Sequence, residues 1–109
     1  MIMKENNINK TIELTSLYDY YKKLLTDKQK KYFELYFFED LTLHEISLDM
    51  SVSRNAVYDS ISKTIATLND LEKNLKLYKK SNIIKEKIEE YQKNKISKED
   101  FISFIEGVV

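Results

Sequence analysis

Ser53, Arg54 and Asn55 stand together at the start of an amphipathic run, and their side chains suit contact with nucleic acid. An arginine guanidinium forks onto the O6 and N7 of guanine, and an asparagine amide pairs with the N6 and N7 of adenine, when a helix enters the major groove. The Ser53 hydroxyl and the Lys63 ammonium suit phosphate oxygens, which position a protein without reading sequence. Tyr58 lies beside these groups and completes the candidate nucleic-acid set. Asp59 shares the surface and its carboxylate repels phosphates, so a second reading stands beside the first. In that reading Leu48, Tyr58 and Asp59 form a contact for a protein partner, with Leu48 an apolar residue where a polar one is expected and Asp59 pairing with a basic group. Lys22, Lys23, Lys28, Lys30 and Lys31 form an accessory basic cluster, which is either a phosphate-facing surface or a solvated one.

No catalytic residue is expected. His44 is the sole histidine and cysteine is absent, so there is neither a thiolate nor a histidine cluster to hold a metal. The chain also lacks a glycine-rich phosphate loop and a nucleophile–base pair, and no cofactor is expected. Eight tyrosines could offer stacking platforms for bases, but most fall at helical spacing beside leucine and phenylalanine, which reads as core with the hydroxyl at its edge. Tyr20 and Tyr58 are the expected exposed exceptions.

Two helices must position these groups. Thr42 followed three residues later by Glu45 is a capping box, so a helix starts there and runs to Met50. Ser51-Val52-Ser53 interrupts it, and Ser53 is a good N-cap for a second helix from Arg54. Helices joined by so short a turn cross steeply and touch, which requires a small residue, Ser47, at the contact. Ile46, Met50, Val52, Val57 and Ile61 form the apolar seam between them, and the whole is a helix-turn-helix.

Ahead of this motif, residues 1–10 read as frayed. Leu14, Leu17, Tyr18, Tyr21 and Leu24 then mark one face of a first helix. Thr26 with Gln29 caps a second helix whose Phe33, Tyr36 and Phe37 face inward until Glu39-Asp40. The helix from Arg54 meets no stop signal before Ser81-Asn82, which gives about 26 residues and roughly 39 Å. Its stripe of Val57, Ile61, Ile65, Leu68, Leu71, Leu75 and Tyr78 outruns the helix-turn-helix. Leu68, Leu71, Leu75 and Tyr78 are therefore expected either to seat the C-terminal helices, Ile83–Tyr91 and Phe101–Ile105 after a Ser97…Asp100 cap, or to form a homodimer seam. In the last of these helices Phe101, Phe104, Ile105 and Val108 share a face suited to packing.

With no proline and one glycine, almost nothing interrupts helix, and the expected fold class is all-α. A length of 109 residues suits one domain, with a helix-turn-helix core at about 26–70 and a C-terminal helical extension at about 81–109. Eighteen basic residues balance 18 acidic ones, and Arg54 is the single arginine, so the chain lacks the basic excess of a dedicated nucleic-acid binder. The N-terminus lacks the apolar core of a signal peptide and no run approaches the roughly 20 residues that span a bilayer, so a cytoplasmic location without membrane insertion is expected.

From Tyr18 to Lys80 the sequence resembles the YlxM family, small bacterial proteins usually encoded beside components of the signal recognition particle. The matching segments are YDYYKKLLTDKQKKYFELYFFEDLTLHEI and VSRNAVYDSI, with LEKNLKLYKK closing the long helix. The order LTDKQ, LTLHEI, VSR is also similar, more distantly, to the domain by which sigma factors recognise the promoter −35 element. The resemblance implies a sigma-like helix-turn-helix and a regulatory role in the signal recognition particle pathway, with DNA, the particle's RNA or its proteins as partners. It supplies no catalytic residue. The chain departs from the sigma-like pattern at Ser51 in place of the turn glycine, at Ser47 in place of a small alanine, and at Tyr58 and Asp59, where basic or amide side chains are usual.

Overall fold

The computed structural model describes residues 8–108, and every regular element among them is helical. The first helix, α1, spans Ile8–Tyr21, so residues 8–10 form its opening turn rather than a frayed end, and the rest of the segment expected to fray lies outside the described residues. Leu14, Leu17, Tyr18 and Tyr21 are buried on one face, as their spacing requires. Leu24 does not continue that face and is 63% exposed. The chain tightens after Tyr21 into a 3-10 turn, Lys22–Leu24, closed by the Leu25 N–H donating to the Lys22 carbonyl at 3.1 Å. Three residues per turn instead of 3.6 rotates the next side chains out of register, and Leu25 takes the buried place.

Helix α2, Asp27–Phe37, opens on the expected capping box. Thr26 Oγ1 accepts from the Gln29 N–H at 3.1 Å, while Gln29 Oε1 accepts from the Thr26 N–H at 2.9 Å. Tyr32, Phe33 and Tyr36 are buried and Phe37 is half-buried. Phe33 stacks on Tyr18 of α1 with centroids 4.5 Å apart, and the Phe37 ring lies tilted 4.5 Å from that of Phe33. The helix ends at Phe37, just before the expected Glu39-Asp40, with Asp40 at φ 57° and the Leu41 N–H turned back onto the Leu35 carbonyl.

Helix α3, Leu43–Met50, and helix α4, Arg54–Leu75, complete the motif. Tyr32 and Tyr36 of α2 join Ile46, Val57 and Ile61 in one buried cluster, with Met50, Val52 and Ile65 packed against it. Helix α4 is shorter than the sequence leads one to expect. It breaks at Lys76, a left-handed residue at φ 58°, and helix α5 begins at Leu77 and runs to Gln92, through Ser81-Asn82. The stripe is therefore cut between Leu75 and Tyr78. Leu68 is 0% exposed and belongs to the core. One turn later the Tyr21 hydroxyl donates to Glu72 at 2.7 Å, so the second half of α4 is engaged by α1. Leu71 is half-buried and Leu75 exposed.

The described chain forms two compact units, the first ending at Asn74 and the second starting at Leu75, where the sequence carries no linker signal. The second unit pairs α5 with α6, Lys98–Val108, across a turn with Asn94 at φ 57°. Ser97 caps α6 by accepting from the Asp100 N–H at 3.1 Å, as the sequence suggests. Tyr91 stacks on Phe101 at 5.0 Å and the Lys87 ammonium lies 5.1 Å from the Phe104 ring centre. Among the described residues no helix is long and apolar enough to cross a membrane.

Candidate nucleic-acid interface

The turn between α3 and α4 is held by local hydrogen bonds that the sequence can supply. Thr42 and Glu45 close their capping box at 3.1 Å and 2.9 Å. The backbone and hydroxyl of Thr42 both stabilise the ionised Glu45, whose carboxyl is held below its ordinary range. At the other end of α3, Ser51 is left-handed at φ 56°, and the Val52 N–H reaches back to the Ser47 carbonyl at 3.0 Å. That is the Schellman arrangement, with serine where a glycine would sit without strain. Ser47 is buried at the crossing, and its hydroxyl donates to the His44 carbonyl at 2.6 Å. A larger side chain there would push the helices apart.

Ser53 then starts α4. Its Oγ accepts from the Ala56 N–H at 3.0 Å, which leaves the hydroxyl hydrogen available to an anion outside the helix. Arg54, Asn55 and Ala56 are all exposed, and the first turn holds no acidic residue to neutralise the positive end of the helix dipole. Val57, Ile61, Thr64 and Leu68 fall on the opposite, buried face, with the Thr64 hydroxyl satisfied by the Ser60 carbonyl at 2.9 Å. Burial of that face orients Arg54, Asn55, Tyr58 and Asp59 outward, with Tyr58 36% exposed and Lys63 exposed one turn further on. The five residues suited to nucleic acid thus sit on the first three turns of one helix, and Asp59 stands among them.

The protein-contact reading also finds its residues at the surface. Leu48 is 68% exposed on α3, beside exposed Asp49. In the accessory basic cluster Lys22, Lys23, Lys28 and Lys31 are exposed, while Lys30 is half-buried and pairs with Asp27 at 3.4 Å. Lys28 also lies 5.7 Å from the Tyr32 ring centre. His44 is exposed, and the described residues contain no group of three metal-ligating side chains.

Half of the eight tyrosines serve the core, fewer than their spacing leads one to expect. Tyr18, Tyr21, Tyr32 and Tyr36 are buried, and Tyr20 is exposed as expected. The sequence reading missed what the buried hydroxyls do. Tyr18 donates to Glu34 across α1 and α2, and burial, aided by that carboxylate, pushes its phenol well above the ordinary range. Residue spacing cannot reveal these pairs, since 16 residues separate Tyr18 from Glu34 and 51 separate Tyr21 from Glu72. It also missed Phe38, half-exposed at the end of α2 with its ring 5.7 Å from that of Tyr18, and Tyr91.

Comparison with known proteins agrees with this geometry. Residues 8–108 match the family described as "UPF0122: Putative helix-turn-helix protein, YlxM / p13 like", which is not an enzyme family. A UPF0122 protein of Mycoplasma capricolum is 47% identical over 109 residues, covering all of this chain and 96% of its own. A probable UPF0122 protein of Mycoplasma mycoides is 46% identical over the same span. A UPF0122 protein of Staphylococcus aureus is 46% identical over 76 residues, 70% of this chain and 69% of its own. The chain belongs to the YlxM / p13-like family of helix-turn-helix proteins.

Proposed function

We propose that this protein is a non-enzymatic, cytoplasmic regulator that binds nucleic acid, DNA or the RNA of the signal recognition particle, through the start of α4. The observation that carries the reading is the exposed Ser53-Arg54-Asn55 run at a helix N-terminus that bears no acidic residue of its own in its first turn. Arg54 and Asn55 read base edges, Ser53 and Lys63 hold phosphates, and Tyr58 packs beside them. The tie to the signal recognition particle pathway rests on the family resemblance. A homodimer is part of the same reading.

A second reading is favoured by the exposure of Leu48 on α3. There the helix-turn-helix is a protein adaptor, and Leu48, Tyr58 and Asp59 contact a protein of the particle. Titration with duplex DNA and with particle RNA at low and moderate salt separates the two. Arg54→Ala weakens binding by about 1–3 kcal/mol and relaxes sequence preference, while Lys63→Ala weakens all sequences alike. Undetectable binding of both nucleic acids at low salt rejects the first reading.

A further inference from the structure

The face of α4 proposed to meet nucleic acid carries little charge of its own. Arg54 and Lys63 are its cations, and the exposed Asp59 carboxylate cancels one of them. Neutralising phosphates supplies much of the affinity of such contacts, so the reading requires cations from an element beside α4.

That element is α2. Tyr32 and Tyr36 of α2 share one buried cluster with Ile46, Val57 and Ile61, and Leu35 packs against it. Val57 lies in the first turn of α4, three residues after Arg54. Residues 22–31, which lead into α2 and form its start, hold five lysines against one carboxylate, Asp27. The structure divides those lysines. Residues three and four apart share a side of a helix. Tyr32, Leu35 and Tyr36 therefore define the side of α2 turned to the helix-turn-helix, and Lys28 and Lys31 extend it by one turn towards the helix start. Lys28 stands one turn before Tyr32, and its ammonium lies 5.7 Å from the Tyr32 ring centre. Both lysines are exposed, and neither pairs with a carboxylate among the described residues.

Lys30 belongs to the other side of α2, in the row of Phe33 and Glu34, where Phe33 stacks on Tyr18 of α1 and Glu34 accepts from its hydroxyl. It is half-buried and held by Asp27 at 3.4 Å. Lys22 and Lys23 are exposed in the 3-10 turn that precedes α2 and belong to neither row.

We propose that Lys28 and Lys31 form a second phosphate contact, by which α2 holds the nucleic-acid backbone beside the groove that α4 enters. The inference rests on the nucleic-acid reading of α4 and adds a contact outside it. A lysine ammonium is a mobile point charge, so this contact fixes position and strengthens binding without reading sequence.

The test is titration of the full chain with mixed-sequence duplex DNA and with particle RNA over a salt series, with circular dichroism on each variant. Lys28→Gln/Lys31→Gln keeps the wild-type helix content and binds every duplex sequence at least about tenfold more weakly at low salt. Its slope of log affinity against log salt on duplex DNA is shallower than that of the wild type by about two. A purely structural role would change affinity and leave the slope alone. Lys28→Arg/Lys31→Arg binds like the wild type, and Lys30→Gln keeps both affinity and slope. If the double variant loses helix, the two single substitutions replace it, each expected to flatten the slope by about one. The proposal alone is overturned if Arg54→Ala weakens binding while Lys28→Gln/Lys31→Gln keeps the wild-type slope. It is equally overturned if Lys30→Gln flattens the slope as much, since the effect is then one of overall charge. Negligible binding of both nucleic acids by the wild type at low salt overturns the reading of α4 and this inference with it.

Discussion

The two compact units use similar helices to opposite ends. In the first, α1 to α4 bury Leu14, Leu17, Tyr18, Tyr21, Phe33, Ile46, Val57, Ile61 and Leu68 almost completely. In the second, α5 and α6 share ring contacts but bury no residue completely. The difference lies in how many faces meet. Four helices can seal a side chain on all sides, whereas two helices leave each residue open on at least one. The first unit therefore has a sealed core, and the apolar side chains of the second are at most half-buried.

Core truncation gives the largest contrast. Phe33→Ala removes a buried ring that stacks on Tyr18 and contacts Phe37 and lowers stability by about 3–5 kcal/mol, while Ile102→Ala in the hairpin changes it by about 0.5 kcal/mol or less. Thermal or urea unfolding of both variants checks this, and equal losses would break the comparison.

The Tyr18 hydroxyl sharpens it. Burial and then Glu34 raise its pKa in the folded state, so folding favours the protonated phenol. The stabilisation is complete below the ordinary tyrosine pKa of about 10 and is lost progressively at higher pH. Unfolding curves from pH 8 to 11 show a wild-type decline that Tyr18→Phe lacks, and Tyr18→Phe costs about 1–2 kcal/mol at neutral pH because Glu34 loses its donor. The smallest effect is a gain. Ser51→Gly relieves a left-handed serine and stabilises the first unit by about 1 kcal/mol, with no change in the hairpin.

What the sequence makes legible follows from how local each cause is. The capping boxes at Thr26 and Thr42 and the caps at Ser53 and Ser97 involve residues three apart, and each forms as read. Outward placement of Arg54, Asn55, Tyr58 and Asp59 follows from the buried period of Val57, Ile61 and Leu68. The break at Lys76 is invisible because lysine carries no preference for left-handed backbone, and the motif expected to end the helix, Ser81-Asn82, lies inside α5. Leu24 and Leu25 exchange roles through a local tightening that periodicity does not encode. The tyrosine–glutamate pairs join distant segments and exist only once the helices have packed.

The central claim is that the start of α4 meets nucleic acid, and Asp59 tests it most directly. Its exposed carboxylate stands on the proposed contact face and opposes phosphates. Affinities of wild type and Asp59→Asn for duplex DNA, particle RNA and proteins of the signal recognition particle are measured at about 10 mM salt, where the Debye length is about 30 Å. The account predicts that Asp59→Asn binds nucleic acid more tightly, most visibly at this low salt, and that the gain shrinks as salt rises. Negligible nucleic-acid binding by both proteins, together with weaker association of Asp59→Asn with a particle protein, would contradict it and assign this face to a protein partner.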